Sequence, residues 1–511
     1  MTSDSGKLAE HQRLREDATR EKNWKRWGPY LPERQWGTVR EDYSKDGDAW
    51  RYFPFEHSSL RVYRWGADGL LGITDREGRL CFNPCLWNER DAILKERLFG
   101  LSGHQGNHGE DCKELYYYLD STPTHSYNKA LYKYPQAAFP YEALVEENQK
   151  RGKDQPEYEL LDTGVFDEDR YFDLVVEYAK AGPNDLLIRL SVTNQGPESA
   201  PLQLLPKLWF RNTWIWGCEH EGCTLKPSIR KSGNGVVLLN HPSLGEFRFY
   251  YEDESGPEIG FTQNETDTET LYQTESYTPH TQSAFDSWIR GNDESAVDPE
   301  KGTMAMLRYC FELAPGETRV VRLRLLHPPE SDPTEPFTEF NSLFDRCQKE
   351  ADAFWESTLA LGLNEEKRML QRQAYAGLLW SKQFYHYSVT DWLHGDSAVA
   401  EPPRERLNGR NHEWKHLFNR DVISMPDKWE YPWFAAWDLA YHCAALSLVD
   451  VDFAKDQIEL VLRENYLHPN GQIPAYEWAF GDVNPPSGWW TSIAATADGL
   501  PVTPRGTFEK L

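Results

Sequence analysis

The 511-residue sequence predicts a β-sandwich followed by a helical domain, and three observations carry that prediction. From about Trp24 to Pro328, short runs of Val, Ile, Leu and aromatic residues alternate with turn signals, the texture of many antiparallel strands. The stretch HPPESDPTEPFTEF at 327–340 then concentrates prolines and acids, which marks a boundary. Beyond it the apolar spacing changes from two residues to the three-to-four of a helix.

Taken in order, residues 1–23 read as a polar leader, helical or frayed, without the apolar core of a secretory signal. SSLRVYRWGADGLLGITD and YFDLVVEYAKAGPNDLLIRLSVTNQGPE follow as strands within a β-sandwich domain spanning 24–328. In MLRYCFELAPGETRVVRLRLL, residues Leu307, Tyr309, Phe311 and Leu313 alternate before the APGET turn. Val320, Val321, Leu323, Leu325 and Leu326 carry the return, which predicts a hairpin. A linker with a helix is expected at 329–362. Helices are predicted over 340–361 and 364–387, the second with Leu370, Ala374, Leu378 and Ser381 on one face. Two more, 434–449 and 453–467, are joined by Asp450-Val-Asp452, with Asp452 as N-cap of the second. A link this short predicts an antiparallel helical hairpin. A long loop, HPNGQIPAYEWAFGDVNPP, comes next.

The 55 basic and 81 acidic residues leave a net charge of −26, which argues against nucleic acid or an anionic membrane as partner. No run approaches the ~18 apolar residues of a membrane span. Eight irregularly spaced cysteines fit a reduced, cytoplasmic protein, and neither Cys81-x3-Cys85 nor Cys218…Cys223 has zinc-knuckle spacing. No metal or cofactor is expected. The 20 Trp, 26 Tyr and 23 Phe beside so many acids suit a surface that stacks on neutral polar rings.

The densest chemistry lies in Trp429-Glu-Tyr-Pro-Trp433-Phe-Ala-Ala-Trp437-Asp438. Aromatic faces stack on sugar C–H faces, and a flanking carboxyl can protonate a glycosidic oxygen. Desolvation would raise the Asp438 pKa, whereas a helix N-terminus would lower it, and spacing does not decide between them. The same pattern also fits an Asp that decorates a helix whose Trp residues are core. A second acid among aromatics is Glu477, beside Trp478, which equally fits a buried loop paired to an Arg. The cluster Asn419-Arg420-Asp421 with Asp427 and Lys428 reads as a solvated charged face. His104, His108 and His125 read as loop or core histidines, and no P-loop, dinucleotide fingerprint or nucleophile elbow is present.

FNRDVISMPDKWEYPWFAAWDLAYH, with NGQIPAYEWAFGDVNPP, resembles glycoside hydrolase family 63, in its bacterial glucosidase and mannosylglycerate hydrolase-like branch. WGPYLPERQWGTVREDYS, GNHGEDCKELYYYLDSTPTHSYNKALYKYPQAAFPY and EYELLDTGVFDEDRYFD resemble that branch's N-terminal domain. The resemblance implies an N-terminal β-supersandwich, a helical linker and a catalytic (α/α)6 toroid of six-hairpin glycosidase type. It implies an inverting α-glucosidase-like hydrolase acting on oligosaccharides or small glycosides. Asp438 would be the general acid, with Tyr431, Trp433, Trp437, Glu477 and Trp478 near the sugar pocket.

Twelve toroid helices need on the order of 350–400 residues, whereas about 170 follow Glu339. The toroid is therefore expected to be incomplete, with its first part at 363–486 and an atypical tail, SGWWTSIAATADGLPVTPRGTFEKL, at 487–511. The family's general base, a late Glu, would be absent and the chain inactive alone. Two other readings fit the residues, a non-catalytic carbohydrate-binding protein and a glycoside phosphorylase.

Overall fold

Alternation of apolar and polar residues makes the strands here, and the way the strands are shared between two sheets makes the domain. The structure, a computed structural model, describes residues 8–473 and 475, except 107–110, 218–223, 253–255, 331–332, 360–361 and 396–400. One antiparallel sheet of nine strands is centred on Thr318–Leu326, Asp185–Asn194, Tyr171–Gly182 and Tyr127–Pro135, with Leu115–Ser121 at its edge. A second, of eight, is centred on Lys207–Phe210, Met304–Leu313 and Ala200–Leu204. Leu174, Val176, Ile188, Leu190 and Val192 from the first face Leu202, Leu204, Leu208, Leu307 and Tyr309 from the second in one buried core. The β-sandwich predicted for this region is present.

The hairpin predicted across APGET is not. Met304–Leu313 pairs with Ala200–Leu204, Lys207–Phe210 and Glu258–Thr262. Thr318–Leu326 pairs instead with Asp185–Asn194 and Gly245–Tyr251. The turn therefore crosses from one sheet to the other. Leu307, Tyr309 and Leu313 look inward from one layer, and Val321, Leu323 and Leu325 look inward from the facing layer. An arch and a hairpin share the same alternation, so only the partner strands separate them.

Helix α1 (Ala9–Ala18) occupies part of the expected leader, and it is docked. Its Glu10 carboxylate is fully buried and accepts from the Thr124 N–H and hydroxyl at 2.8 Å and from the Ser126 hydroxyl at 2.7 Å. Helices α2 (Phe340–Thr358) and α3 (Glu365–Trp380) cover the outer face of the nine-stranded sheet. Phe340, Phe344, Cys347 and Ala351 of α2 pack on Tyr127, Ala179 and Leu187. In α3 the buried face is Ala376, Leu379 and Trp380, while Leu370 is 56% exposed. The predicted face of Leu370, Ala374, Leu378 and Ser381 is thus displaced, because Trp380 stacks on Tyr118 at 5.0 Å and donates to the Asp120 carbonyl at 3.0 Å. Residues predicted to extend this helix to 387 form a strand instead, Lys382–Ser388 pairing with Phe418–Ser424.

Helices α4 (Ala436–Leu446) and α5 (Val451–Val461) pack on each other in a second core with Trp392, Trp414, Phe434 and Tyr466. The N-cap of α5 is Asp450, not Asp452: its carboxylate accepts from the Phe453 N–H at 3.2 Å. Asp450 is chosen because the same carboxylate pairs with two lysines, Lys25 at 2.8 Å and Lys382 at 3.7 Å. Antiparallel sheets followed by helices are the architecture of the described residues. No helix among them is long and apolar enough to cross a membrane.

Removing one partner of a buried charge cluster leaves the others unpaired, at a cost of about 3–5 kcal/mol. Asp450→Ala is accordingly expected to lose about that much in urea denaturation. The exposed Asp452→Ala should change stability by no more than about 0.5 kcal/mol. Equal losses from the two variants would refute this capping assignment.

Candidate active site at the domain seam

The aromatic segment at 429–437 leaves the strand Phe418–Ser424 and is shaped by its own polar residues. The Asp427 carboxylate accepts from the Trp429 and Tyr431 N–H groups, the second at 3.1 Å, which coils the chain into a tight turn. Pro432 follows and Ala435 is extended, so α4 begins only at Ala436. Lys428, expected on a solvated face, is instead buried. Its ammonium donates to the carbonyls of Pro29 and Leu31, the latter at 2.7 Å, and its own carbonyl accepts from the Glu33 N–H at 3.3 Å. The rest of the predicted cluster separates: Arg420 is exposed and pairs with Glu77 at 3.1 Å, while Asp421 accepts from the Tyr466 hydroxyl at 2.7 Å.

This tie brings residues 33–50 against the loop. Trp429 is fully buried, edge-on to Trp36 at 5.9 Å, with the Arg34 guanidinium 4.3 Å over its ring. Arg34 also lies 4.6 Å over Trp50 and 5.6 Å over Trp36, so one cation is held among three indoles. Arg34, Trp36 and Trp50 are site residues that the sequence did not single out. Their signal was the density of Trp and Arg in WGPYLPERQWGTVREDYSKDGDAW, which equally describes a core.

The predicted residues fall in different surroundings. Trp433 is half-buried, edge-on to Tyr431 at 4.9 Å, and lines a cavity of about 270 Å³ with Arg34, Thr38, Asp48 and Trp50. Tyr431 is 47% exposed. Trp437 and Tyr441, 38% and 59% exposed, stand edge-on at 6.3 Å on the open side of α4. Asp438 occupies the first turn of α4 and is half-buried. Burial raises its carboxyl above the ordinary Asp range, opposed by a bond from its own N–H. Glu477 and Trp478 lie outside the described residues. Ala475, close before them, accepts from the Ala436 N–H at 3.2 Å at the entry of α4.

Other carboxyls around the loop are displaced the same way. Desolvation pushes Glu33 up to about 7, against the opposing charge of Lys428, and raises Asp427 and Glu430. Among the described residues, Asp111, Glu157 and Glu159 are spaced as metal ligands, but Lys113 sits between them, 2.9 Å from Glu157 and 3.0 Å from Glu159. His125 is a core residue, its ring 3.3 Å from Ser121 and Asn128, His104 is exposed, and His108 lies outside the described residues.

No family model matches the chain. The uncharacterized protein YMR196W of Saccharomyces cerevisiae is 45% identical to it over 523 residues, covering 94% of this chain and 48% of the relative. The chain thus spans about half the length of the curated relative it matches. Among solved structures, the family GH92 alpha-mannosidase of Bacteroides thetaiotaomicron overlaps 81% of this chain and 44% of its own, at 10% identity and a TM-score of 0.27. A polysaccharide lyase overlaps 49% of this chain and 26% of its own, at 11% identity and a TM-score of 0.22.

Desolvation lowers Lys428 to about 7, whereas an unfolded lysine titrates near ~10.4. Between those values the unfolded chain holds a proton that the folded chain has lost, so stability rises with pH. Lys428→Met is expected to remove about one proton from that slope between about pH 7 and 10. The check is urea denaturation across the range, and an unchanged slope would show that Lys428 titrates normally.

Proposed function

We propose that the chain is part of an inverting α-glycosidase of glycoside hydrolase family 63 type, with α4 and α5 among the first helices of its toroid. Asp438 serves as general acid toward the leaving oxygen of an α-glucoside or a related α-linked oligosaccharide. The observation that carries this reading is the Asp438 carboxyl itself, half-buried in the first turn of α4, raised by desolvation and next in the chain to Trp437 of the Trp437–Tyr441 pair. A general acid must hold its proton near neutral pH, and partial desolvation shifts a carboxyl in that direction. Indole and phenol faces supply the stacking surface that a pyranose needs. Glu477 and Trp478 are proposed to complete the sugar pocket from the following loop. An inverting mechanism also requires a second carboxylate ~6.5–9.5 Å away, with a water between the two.

The test is hydrolysis of α-glucosides and α-mannosides by the 511-residue chain, with the product anomer followed by NMR. With its general base expected to be missing, this chain alone should turn over weakly at most, and any product released should be the inverted β-anomer first. Asp438→Asn should lower the rate by about 10²–10⁴-fold with sugar binding kept. Turnover indifferent to Asp438→Asn would overturn the assignment. Failure to bind either sugar would overturn the carbohydrate reading, and release of sugar phosphate dependent on added phosphate would mark a phosphorylase.

A further inference from the structure

The cavity beside Trp433 is walled from two distant parts of the chain. Pro432 and Trp433 come from the aromatic loop, and Arg34, Thr38, Asp48 and Trp50 come from the segment at the start of the β-sandwich region. At about 270 Å³ it suits a single small ring, below the usual size of a drug-like pocket. Its wall includes Trp433 but neither Asp438 nor Trp437.

Trp50 is fixed in that wall by its neighbours. Gly37 has φ +66°, a left-handed conformation, and a Cβ there would fall 2.3 Å from two atoms of the Trp50 ring. Only glycine leaves that space, so the indole lies directly on the main chain at Gly37. The Arg34 guanidinium and the edge of Trp36, at 5.5 Å, hold other sides of the ring. The wall carries one cation, Arg34, and one anion, Asp48, the latter also paired with Arg51 outside the cavity. Thr38 donates its hydroxyl proton to the Gln35 carbonyl at 2.9 Å, and its oxygen keeps acceptor capacity. Asp48 accepts from the Arg51 N–H at 3.3 Å through one oxygen and pairs with the Arg51 side chain at 3.1 Å through the other, and each carboxylate oxygen keeps a further lone pair. Two indoles with hydroxyl and carboxylate acceptors form the recognition chemistry of a neutral, polyhydroxylated ring.

We infer that Trp50 and Trp433 together form a subsite for a neutral sugar ring next to, not at, the bond being cleaved, so that the β-sandwich region supplies half of the binding site. This rests on the carbohydrate reading above and extends it to a specificity role for residues 34–50. Trp50 and Trp433 are binding residues in this proposal, and Gly37 is a positioning residue that acts through Trp50.

The experiment is binding of maltotriose and α-mannotriose to the full chain, followed by tryptophan fluorescence and saturation-transfer NMR. Trp50→Ala and Trp433→Ala should each weaken binding of the recognised trisaccharide by about tenfold or more. Trp50→Phe, which keeps a ring, should recover most of the loss with an unchanged melting temperature. Gly37→Ala should reproduce the Trp50→Ala weakening. Loss of binding in Trp433→Ala but not in folded Trp50→Ala or Gly37→Ala would overturn this subsite and leave the carbohydrate reading standing. Failure of the unaltered chain to bind either trisaccharide would overturn both.

Discussion

Lys428 is a buried amine that donates to two main-chain carbonyls, and the placement of the aromatic loop depends on it. An ammonium has three protons to place and costs several kcal/mol to desolvate, so it is tolerated only where acceptors are already fixed. Here the acceptors are the carbonyls of Pro29 and Leu31, and the Lys428 carbonyl is bonded in return by the Glu33 N–H. The tie is reciprocal and joins residues nearly 400 positions apart. Arg34 and Trp36 lie immediately beyond Glu33 and so are delivered to Trp429. Lys25 and Lys382 on Asp450 make a second tie of the same kind. Because an unmade bond at either place strands a charge, the N-terminal segment and the helical region are expected to assemble together. The cavity between Trp50 and Trp433 is a consequence of that seam.

How much of this was legible in the sequence depends on whether the deciding partner was local. The β-then-α order and the helices α2, α4 and α5 follow from composition and period, and all are present among the described residues. The turn at APGET shows where period stops informing. Odd-numbered apolar residues on both sides satisfy a hairpin within one sheet as well as an arch between two. Nine paired residues from Asp185 to Thr193 captured the second strand. The end of α3 shows the same limit. Residues 382–388 continue a plausible helical pattern, yet Phe418–Ser424, more than 30 residues later, supplies a ladder for them. Asp450 and Asp452 are both good caps by type, and Lys25 decided between them.

At the site, WEYPWFAAWD was visible as an aromatic and acidic concentration, but not as separate functions. Its tryptophans at 429, 433 and 437 are spaced as one helical face, and a continuous helix would have aligned them. Asp427 prevents that by capturing the Trp429 and Tyr431 N–H groups, and Pro432 removes a further donor. The three indoles are therefore divided: Trp429 is sealed under Arg34, Trp433 walls the cavity, and Trp437 is left partly open beside Tyr441. The partners Arg34 and Trp50 were illegible because they reach the loop through the seam rather than through any local pattern.

The division also bears on Asp438. Sequence reasoning left two opposed effects on its carboxyl, the field of the helix end and the loss of water. The α4 N-terminus is real, and Asp438 lies in its first turn with a bond from its own N–H. A short helix delivers its dipole weakly to a side chain still partly in water, because the field is screened there. Partial burial acts on the charged form directly, and the net displacement is upward. The carboxyl thus keeps a path to solvent while being displaced upward by partial burial. A fully buried Asp would favour the protonated state more strongly but would lose ready exchange with water.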